Sequence, residues 1–380
     1  MSSVYRDGVL FVVFVTVMQH GCITIGLAGG VIQTFVKRLT CHTAIDTVEV
    51  MNEPAVEKSS VGTGLRPDDR VLILGATGFV GRRLLPELLR KGVKVRLFVR
   101  DQSKLLDVSP ESDTELVEGD LLTGEGLKIA LQGVRIAYYL VHSMGGRSIF
   151  QNREYAERDK KAADNFVLSA DECGLERIIY LGALGEQGEE LSEHLKSRAE
   201  IATILSSGRA AATILRAAII IGAGGASFEM LRYLVERLPV MVCPKWIDTR
   251  IQPIVLQDVL QYLVGCLFNT ETAGMSFDIG GLEILTYREM MQYYAEARGL
   301  PRRLIFRVPL LTPLLSSYWV DLVTPVPSGI AHPLIEGLKN EVVCREHKIE
   351  ELIPIQKTPF KEGVRIAFSE EKEGPGITGF

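Results

Sequence analysis

The chain has 380 residues, 47% of them hydrophobic, enough for one large α/β domain with additions and a sizeable core. The formal net charge is −5 and no basic stripe runs along the sequence, which argues against nucleic acid as a partner. Six scattered cysteines without a C-x-x-C pair and six dispersed histidines provide neither a disulfide frame nor a metal site, and suit a reducing compartment.

The first 69 residues differ from the rest. From Gly8 to Val36 nothing is charged, and Lys37 and Arg38 close the stretch. As a helix it is long enough to span a hydrocarbon core of about 30 Å, with its C-terminal side in the cytoplasm. Gln19, His20 and glycines at 8, 21, 26, 29 and 30 interrupt it. Two readings follow: membrane association through residues 8–36, or a poorly ordered extension of a cytoplasmic protein. Residues 52–69 are polar and turn-rich and read as a linker.

At Arg70 the pattern changes. An apolar run, Val71 to Leu74, enters Gly75-Ala76-Thr77-Gly78-Phe79-Val80-Gly81, and a helical pattern starts at once. Strand, glycine turn and helix in that order make a cradle for a dinucleotide pyrophosphate. Gly75 permits the tight turn, Gly78 lets the backbone approach the phosphates, and Gly81 lets the helix pack on the strand. The helix points its N-terminal amides at the anion.

Further elements alternate. Helix 79–91 leads to strand 94–99, then strand 115–118, helix 124–132, strand 134–141 and a long helix over about 151–173. Strand 176–182, helix 191–206 and strand 211–221 follow. Near-continuously apolar strands separated by helices specify a buried parallel sheet, hence a doubly wound α/β (Rossmann) fold over 70–224. Beyond 225 the spacing loosens: helices at 226–238, 256–268 and 286–298, and short strands near 240–243, 276–279 and 303–308. Residues 225–368 read as a smaller substrate or lid region, with an apolar, proline-punctuated stretch at 310–326. The acidic, glycine-bearing tail 369–380 reads as disordered.

Strand 94–99 ends in Val99-Arg100, where a dinucleotide fold faces the adenosine ribose. Arginine there pairs with a 2′-phosphate, so Arg100 favours NADP, with NAD the alternative because Asp101 stands next to it. Asp120 and Leu121, in Glu118-Gly-Asp-Leu121, are placed for the adenine edge, unless Asp120 only caps a turn. His142 follows the fourth strand at the carboxyl edge, where the nicotinamide half belongs, and either touches cofactor or substrate or satisfies a backbone carbonyl.

The glycine loop, Val99-Arg100, Glu118-Gly-Asp-Leu121 and Arg177-Ile-Ile-Tyr-Leu-Gly182 together resemble the atypical short-chain dehydrogenase/reductase superfamily over roughly 70–355. Leu140-Val-His-Ser-Met-Gly, Leu191-Ser-Glu-His-Leu-Lys-Ser-Arg and the run Ser316–Pro327 look most like NAD(P)H-binding proteins related to the accessory dinucleotide subunit of respiratory complex I and to NmrA-type redox sensors. The resemblance implies bound NAD(P)H and an oxidoreductase setting. Ordinary members use a serine after the fifth strand and Tyr-x-x-x-Lys on the next helix, the tyrosine serving as proton donor. Here Gly182 and Ala183 fill the serine place, and Ser192 stands four residues before Lys196 where tyrosine would stand. Ser192 and Lys196 share a helix face, whereas His194 points about 200° away from Ser192, so Ser192/Lys196 is the candidate catalytic pair. Asp258 and Arg250, flanking Gln252-Pro-Ile, either shape the cleft wall or, for Asp258, cap the following helix.

Two functions compete. One is an NAD(P)H-dependent oxidoreductase for a small apolar carbonyl or quinone-like substrate. The other is a non-catalytic NAD(P)H-binding redox sensor, or a structural or assembly partner of a membrane complex. A nucleotide-sugar epimerase needs the tyrosine most and is the weaker reading.

Overall fold

The computed structural model describes residues 26–27, 30–31, 65–66, 68–105, 113–142, 149–185, 193–308, 325–326 and 328–373. Residues 1–58 and 59–380 form separate units. In the first, Gly26–Leu27 pairs antiparallel with Gly30–Val31. The remainder of the 8–36 stretch lies outside the described residues. Among the described residues no helix is long and apolar enough to cross a membrane.

The second unit is built on seven parallel strands. These are β1 (Arg70–Leu74), β2 (Lys94–Val99), β3 (Thr114–Glu118), β4 (Val134–Tyr139), β5 (Arg177–Ala183), β6 (Ala211–Ala217) and β7 (Ser276–Ile279). Their order is β7-β6-β5-β4-β1-β2-β3, every neighbour parallel. This is the doubly wound α/β fold expected from the strand–helix alternation. The order reverses between β1 and β4, and that switch point opens the binding crevice at the strands' carboxyl ends.

Alternate residues of β1 feed two cores. Val71 and Ile73 meet Leu84, Leu85 and Leu88 of α1 (Gly81–Arg90), while Leu72 and Leu74 face Ala163 and Phe166 of α3 (Ile149–Cys173). All of these are fully or almost fully buried, each large side chain contributing about 1.5–3 kcal/mol. The short α2 (Leu127–Leu131) and α4 (Glu193–Leu205) lie on the α3 face. The helix expected over 124–132 is shorter because Gly124 and Gly126 hold φ of 79° and 76°, outside the helical range.

The remaining elements are α5 (Ala226–Arg237), α6 (Leu256–Phe268), α7 (Tyr287–Ala297), α8 (Ser328–Gly337), α9 (Lys348–Leu352) and α10 (Phe360–Glu373). α6 returns to the α1 face of the sheet, whereas α5, α7, α8 and α10 enclose a separate core. Three expectations change. The run 211–221 is not one strand: it leaves the sheet after Ala217, and Ile220–Ile221 pairs in parallel with Ile254–Val255 instead. The tail does not begin at 369, because α10 continues to Glu373, with Phe368 buried and Glu370 bound to Gln257 at 2.8 Å. Asp258 is neither helix cap nor cleft wall. Val255 is the N-cap of α6, and Asp258, fully buried, accepts hydrogen bonds from the Thr358 amide and hydroxyl at 2.9 and 2.8 Å. Arg250 is exposed and faces Glu341 at 3.7 Å. The 310–326 stretch lies outside the described residues up to 324.

Candidate functional site

The glycine loop folds as a turn locked from below. Gly75 has φ 87°, and a Cβ on it would lie 2.7 Å from the Leu140 carbonyl oxygen, because β4 passes directly beneath. The Gly78 amide donates to Gly75 O at 3.0 Å and closes the turn. A Cβ on Gly81 would stand 2.3 Å from Gly75 O and 2.9 Å from Ala76 Cα, so the helix start and the turn touch backbone to backbone. Gly78 is different: it is exposed, and its Cβ would meet nothing of the protein closer than Gly75 O at 3.2 Å. Ala76 is buried, Thr77 accepts from Arg82 through its carbonyl at 3.3 Å, and Val80 is the N-cap of α1. The bare surface at Gly78, the following amides and the start of α1 fit a pyrophosphate, the group the residue spacing implies.

Arg83 fixes the loop to the C-terminal half. Its guanidinium donates to Phe79 O at 3.2 Å and Ala223 O at 2.7 Å, pairs with Glu370 at 3.3 Å, and lies 5.0 Å from the Phe79 ring centre. That ring packs so closely on Gly222 and Gly225 that a Cβ on either would lie about 3 Å from it, 3.1 and 2.8 Å respectively.

A cavity of about 370 Å³ starts at Gly78, Phe79 and Val80 and crosses the carboxyl ends of β4, β5 and β6 to the N-terminus of α5 and to α8. Among the described residues, its polar side chains are His142, Arg198 and Ser227; the others lining it are apolar or glycine. A smaller apolar pouch of about 80 Å³ shares the Ala183, Ala217, Ala218, Ser227 and Leu334 wall and extends to Met230, Leu338 and Val342.

His142 sits at the β4 end with its side chain 14% exposed, and its Nδ1 is 3.2 Å from Oδ2 of Asp159 on α3, itself 10% exposed. Burial, together with the nearby Arg198 guanidinium, holds the imidazole well below its ordinary pKa of 6.5, so it is neutral at neutral pH. A neutral imidazole with Nδ1–H donated to a carboxylate offers Nε2 as an acceptor. Arg198 Nη1 lies 3.4 Å from the Tyr180 hydroxyl of β5.

The expected Ser192/Lys196 pair falls partly outside the described residues. Ser192 lies outside them, and Lys196 is exposed. Two residues on, some 200° round the helix, it is Arg198 that lines the cavity. Gly182 and Ala183, in the place of the usual serine, line it without a hydroxyl. Arg100 is exposed at the carboxyl end of β2. Its neighbour Asp101 turns its carboxylate to the Ser103 amide and hydroxyl, at 2.9 and 2.6 Å. At the end of β3, Asp120 Oδ1 accepts from the Leu122 amide at 2.8 Å, the turn role weighed for it, and Leu121 is buried. Asn165 of α3 donates to the carbonyls of Leu121 and Leu122, at 2.8 and 3.0 Å. Arg198, Ser227 and Asp159 were not singled out by sequence reasoning. The first two stand in apolar-polar helix patterns that look like ordinary surface, and only the strand ends they meet reveal them.

Sheet order, glycine turn and crevice together define a Rossmann-fold dinucleotide-binding protein. Residues 75–220 match the NAD(P)H-binding family model, and the chain accordingly carries an NAD(P)H-binding domain. A 3-beta-hydroxysteroid dehydrogenase of Mycolicibacterium neoaurum is 33% identical over 124 residues, which is 30% of this chain and 32% of that protein, so the match spans about a third of the relative. The mitochondrial NADH dehydrogenase [ubiquinone] 1 alpha subcomplex subunit 9 of Arabidopsis thaliana is 25% identical over 70% of this chain and 67% of its own length. Among solved structures, triphenylmethane reductase of Citrobacter sp. with NADP(H) superposes with TM-score 0.61 at 18% identity, over 78% of this chain and 99% of that one. These likenesses are consistent with the atypical short-chain dehydrogenase/reductase superfamily.

Proposed function

We propose that the protein is an NADP(H)-dependent oxidoreductase that interconverts a carbonyl or quinone-like group and its reduced form on a small apolar substrate. The observation that carries this is one cavity that begins at the glycine loop and passes His142 and Arg198 at the carboxyl ends of the strands, with a separate apolar pouch on the far side of its Ala183, Ala217, Ala218, Ser227 and Leu334 wall. When bound, the dinucleotide supplies hydride transfer at its nicotinamide ring. The chain's own residues do the rest: the 75–81 loop and α1 hold the pyrophosphate, the α5 and α8 walls exclude water, and Arg198 and Ser227 orient an oxygen. The preference for NADP over NAD is supported by Arg100, exposed while Asp101 is engaged with Ser103. On this reading Asp120 and Leu121 frame the adenine end.

The test is steady-state oxidation of NADPH by the full chain across a panel of apolar ketones and quinones, beside calorimetric binding of NADPH and NADH. Turnover with an apolar substrate and tighter NADPH binding are expected. Binding without turnover across the panel would reject catalysis. It would leave a non-catalytic NAD(P)H-binding sensor or assembly partner, which the hydroxyl-free Gly182–Ala183 wall and the absence of any tyrosine among the described lining residues favour.

A further inference from the structure

We infer that the substrate is an apolar oxo acid, or the hydroxy acid it becomes, and that its carboxylate pairs with Arg198 while the rest of its skeleton lies among apolar side chains. The inference rests on the oxidoreductase reading and names the substrate class within it.

Arg198 is a half-buried cation that forms no ion pair among the described residues. Its guanidinium makes one contact, Nη1 to the Tyr180 hydroxyl at 3.4 Å, at the long end of the hydrogen-bond range. Nε is enclosed without a partner. Nη2 has no partner among the described residues either, but it is not enclosed, so the outer edge of the fork keeps open surface. Arg198 lines the cavity of about 370 Å³, and among the described lining residues none is acidic. Asp159, the carboxylate at that corner, lies against His142 at 3.2 Å and forms no ion pair with Arg198. A guanidinium set among apolar atoms is costly without an anion, and its planar fork matches a carboxylate.

A second positive feature faces the same space. Gly225, Ala226 and Ser227, at the start of α5, line the cavity, so the positive end of that helix dipole adds to the guanidinium. The one acid of the first turn, Glu229, accepts from the Gly224 amide at 3.0 Å, pairs with Arg232 at 3.5 Å and is not a lining residue. The dinucleotide's own phosphates do not account for Arg198. Its contact Tyr180 pairs with Tyr139 on β4, which pairs with Leu74 on β1. The guanidinium therefore meets a strand two spacings, about 9–10 Å, from the one that enters the glycine loop. That distance suits the nicotinamide end of the cofactor and the substrate beside it. Leu140, Leu181, Ile330 and Leu334 supply apolar walls for the skeleton. Arg198 holds the carboxylate and takes no part in bond making or breaking.

The experiment has two arms on the full chain. In the first, calorimetry measures octanoate and octanamide binding to the protein saturated with NADPH, in wild type, Arg198→Gln and Arg198→Lys. The wild type is expected to bind octanoate about 10- to 100-fold more tightly than the amide, Arg198→Gln to lose that preference, and Arg198→Lys to keep part of it. No preference of the wild type for the acid overturns the inference. So does a loss of NADPH affinity in Arg198→Gln with octanoate binding kept, which assigns the cation to a cofactor phosphate. In the second arm, NADPH oxidation is followed with 5-oxooctanoate, 7-oxooctanoate and their methyl esters. The acids are expected to exceed the esters in kcat/KM by about 10- to 100-fold, with the ratio collapsing in Arg198→Gln. Turnover that favours the esters, or treats both alike, overturns the carboxylate and leaves the oxidoreductase reading. Octanoate binding without turnover of any member overturns that reading and the oxo acid with it. Should Arg198→Gln fail to fold, the wild-type comparison of acid with amide decides.

Discussion

Gly78→Ala separates binding from folding. A Cβ at Gly78 meets only Gly75 O, at 3.2 Å, and Gly78 has no positive φ. The tight contact asks for a shift of a few tenths of an ångström. Against it, alanine at a compatible backbone position stabilises by roughly 0.4–1 kcal/mol through the unfolded chain. The net change in stability is therefore expected within about 1 kcal/mol of zero, a Tm shift of no more than a few degrees. The same methyl projects from an exposed loop position where the pyrophosphate has to approach. Overpacking a close contact costs about 1–3 kcal/mol, or roughly 5- to 150-fold in Kd. Gly81→Ala is the contrast, since its Cβ would sit 2.3 Å from backbone, and it should lose stability as well as affinity. Gly92→Ala is the control: φ is 72° but nothing lies within 4 Å, so it should cost only the left-handed strain of about 1–2 kcal/mol and leave binding intact. The assays are NADPH calorimetry and thermal melting on each variant. Wild-type affinity in Gly78→Ala would refute the placement of the phosphates on this loop.

Other expectations follow from single contacts. Arg100→Ala should weaken NADPH binding by roughly 10- to 100-fold, the loss of one or two charge-assisted hydrogen bonds, and leave NADH binding unchanged; equal losses for both would return Arg100 to a solvated strand end. Arg216→Ala should cost about 3–5 kcal/mol in denaturant unfolding, because it removes the cation 2.6 Å from the Asp278 carboxylate, 3% exposed, and leaves it the Arg345 amide at 2.9 Å; a change below 1 kcal/mol would contradict the pairing. His142 has a folded pKa depressed below the unfolded 6.5, so the unfolded chain binds the proton more readily. The contribution of neutral His142 is present above pH 6.5 and is lost as pH falls below it, and His142→Asn should flatten that part of the stability curve, read by urea midpoints across pH.

The glycine turn was legible because its geometry is local. Three glycines at fixed spacing between an apolar run and a helical pattern need no knowledge of the rest of the chain, and the structure shows backbone contacts that enforce Gly75 and Gly81. The parallel sheet was legible for a related reason: strands buried on both faces read as unbroken apolar runs, as Val71–Leu74 and Ile178–Leu181 do. The break at Ala218 was not legible, since Ile219–Ile221 is as apolar as what precedes it and only the pairing with Ile254–Val255 distinguishes it. The polar lining of the cavity was hidden more deeply. Lys196 and Arg198 are both cations on one helix, and which of them reaches the cavity depends on the rotation of α4 about its axis, set by Leu195, Ile201 and Leu205 packing inward. Asp159 is one acid among many on α3; that it is buried against His142 depends on the tilt of a 25-residue helix over the sheet.

The site is held together across the chain by one side chain. Arg83 follows the glycine loop by two residues, and its three partners are the loop itself at Phe79 O, the segment entering α5 at Ala223 O, and Glu370 on α10. Phe79 fills the space left by Gly222 and Gly225, so the loop and the α5 entry have complementary shapes as well as a shared cation. The glycine loop and the α5 entry are two walls of the same cavity, and α10 meets the join through Glu370. Dinucleotide bound to the native state alone stabilises everything that must be ordered to bind it, by about 2.7 kcal/mol at a hundredfold excess over Kd. The elements brought together at Arg83 are therefore stabilised with the loop, and by reciprocity whatever fastens α5 and α10 also strengthens the cradle. On the proposed reading of the glycine loop, that link gives the C-terminal helix, more than 280 residues beyond the glycines, a physical part in holding the cofactor.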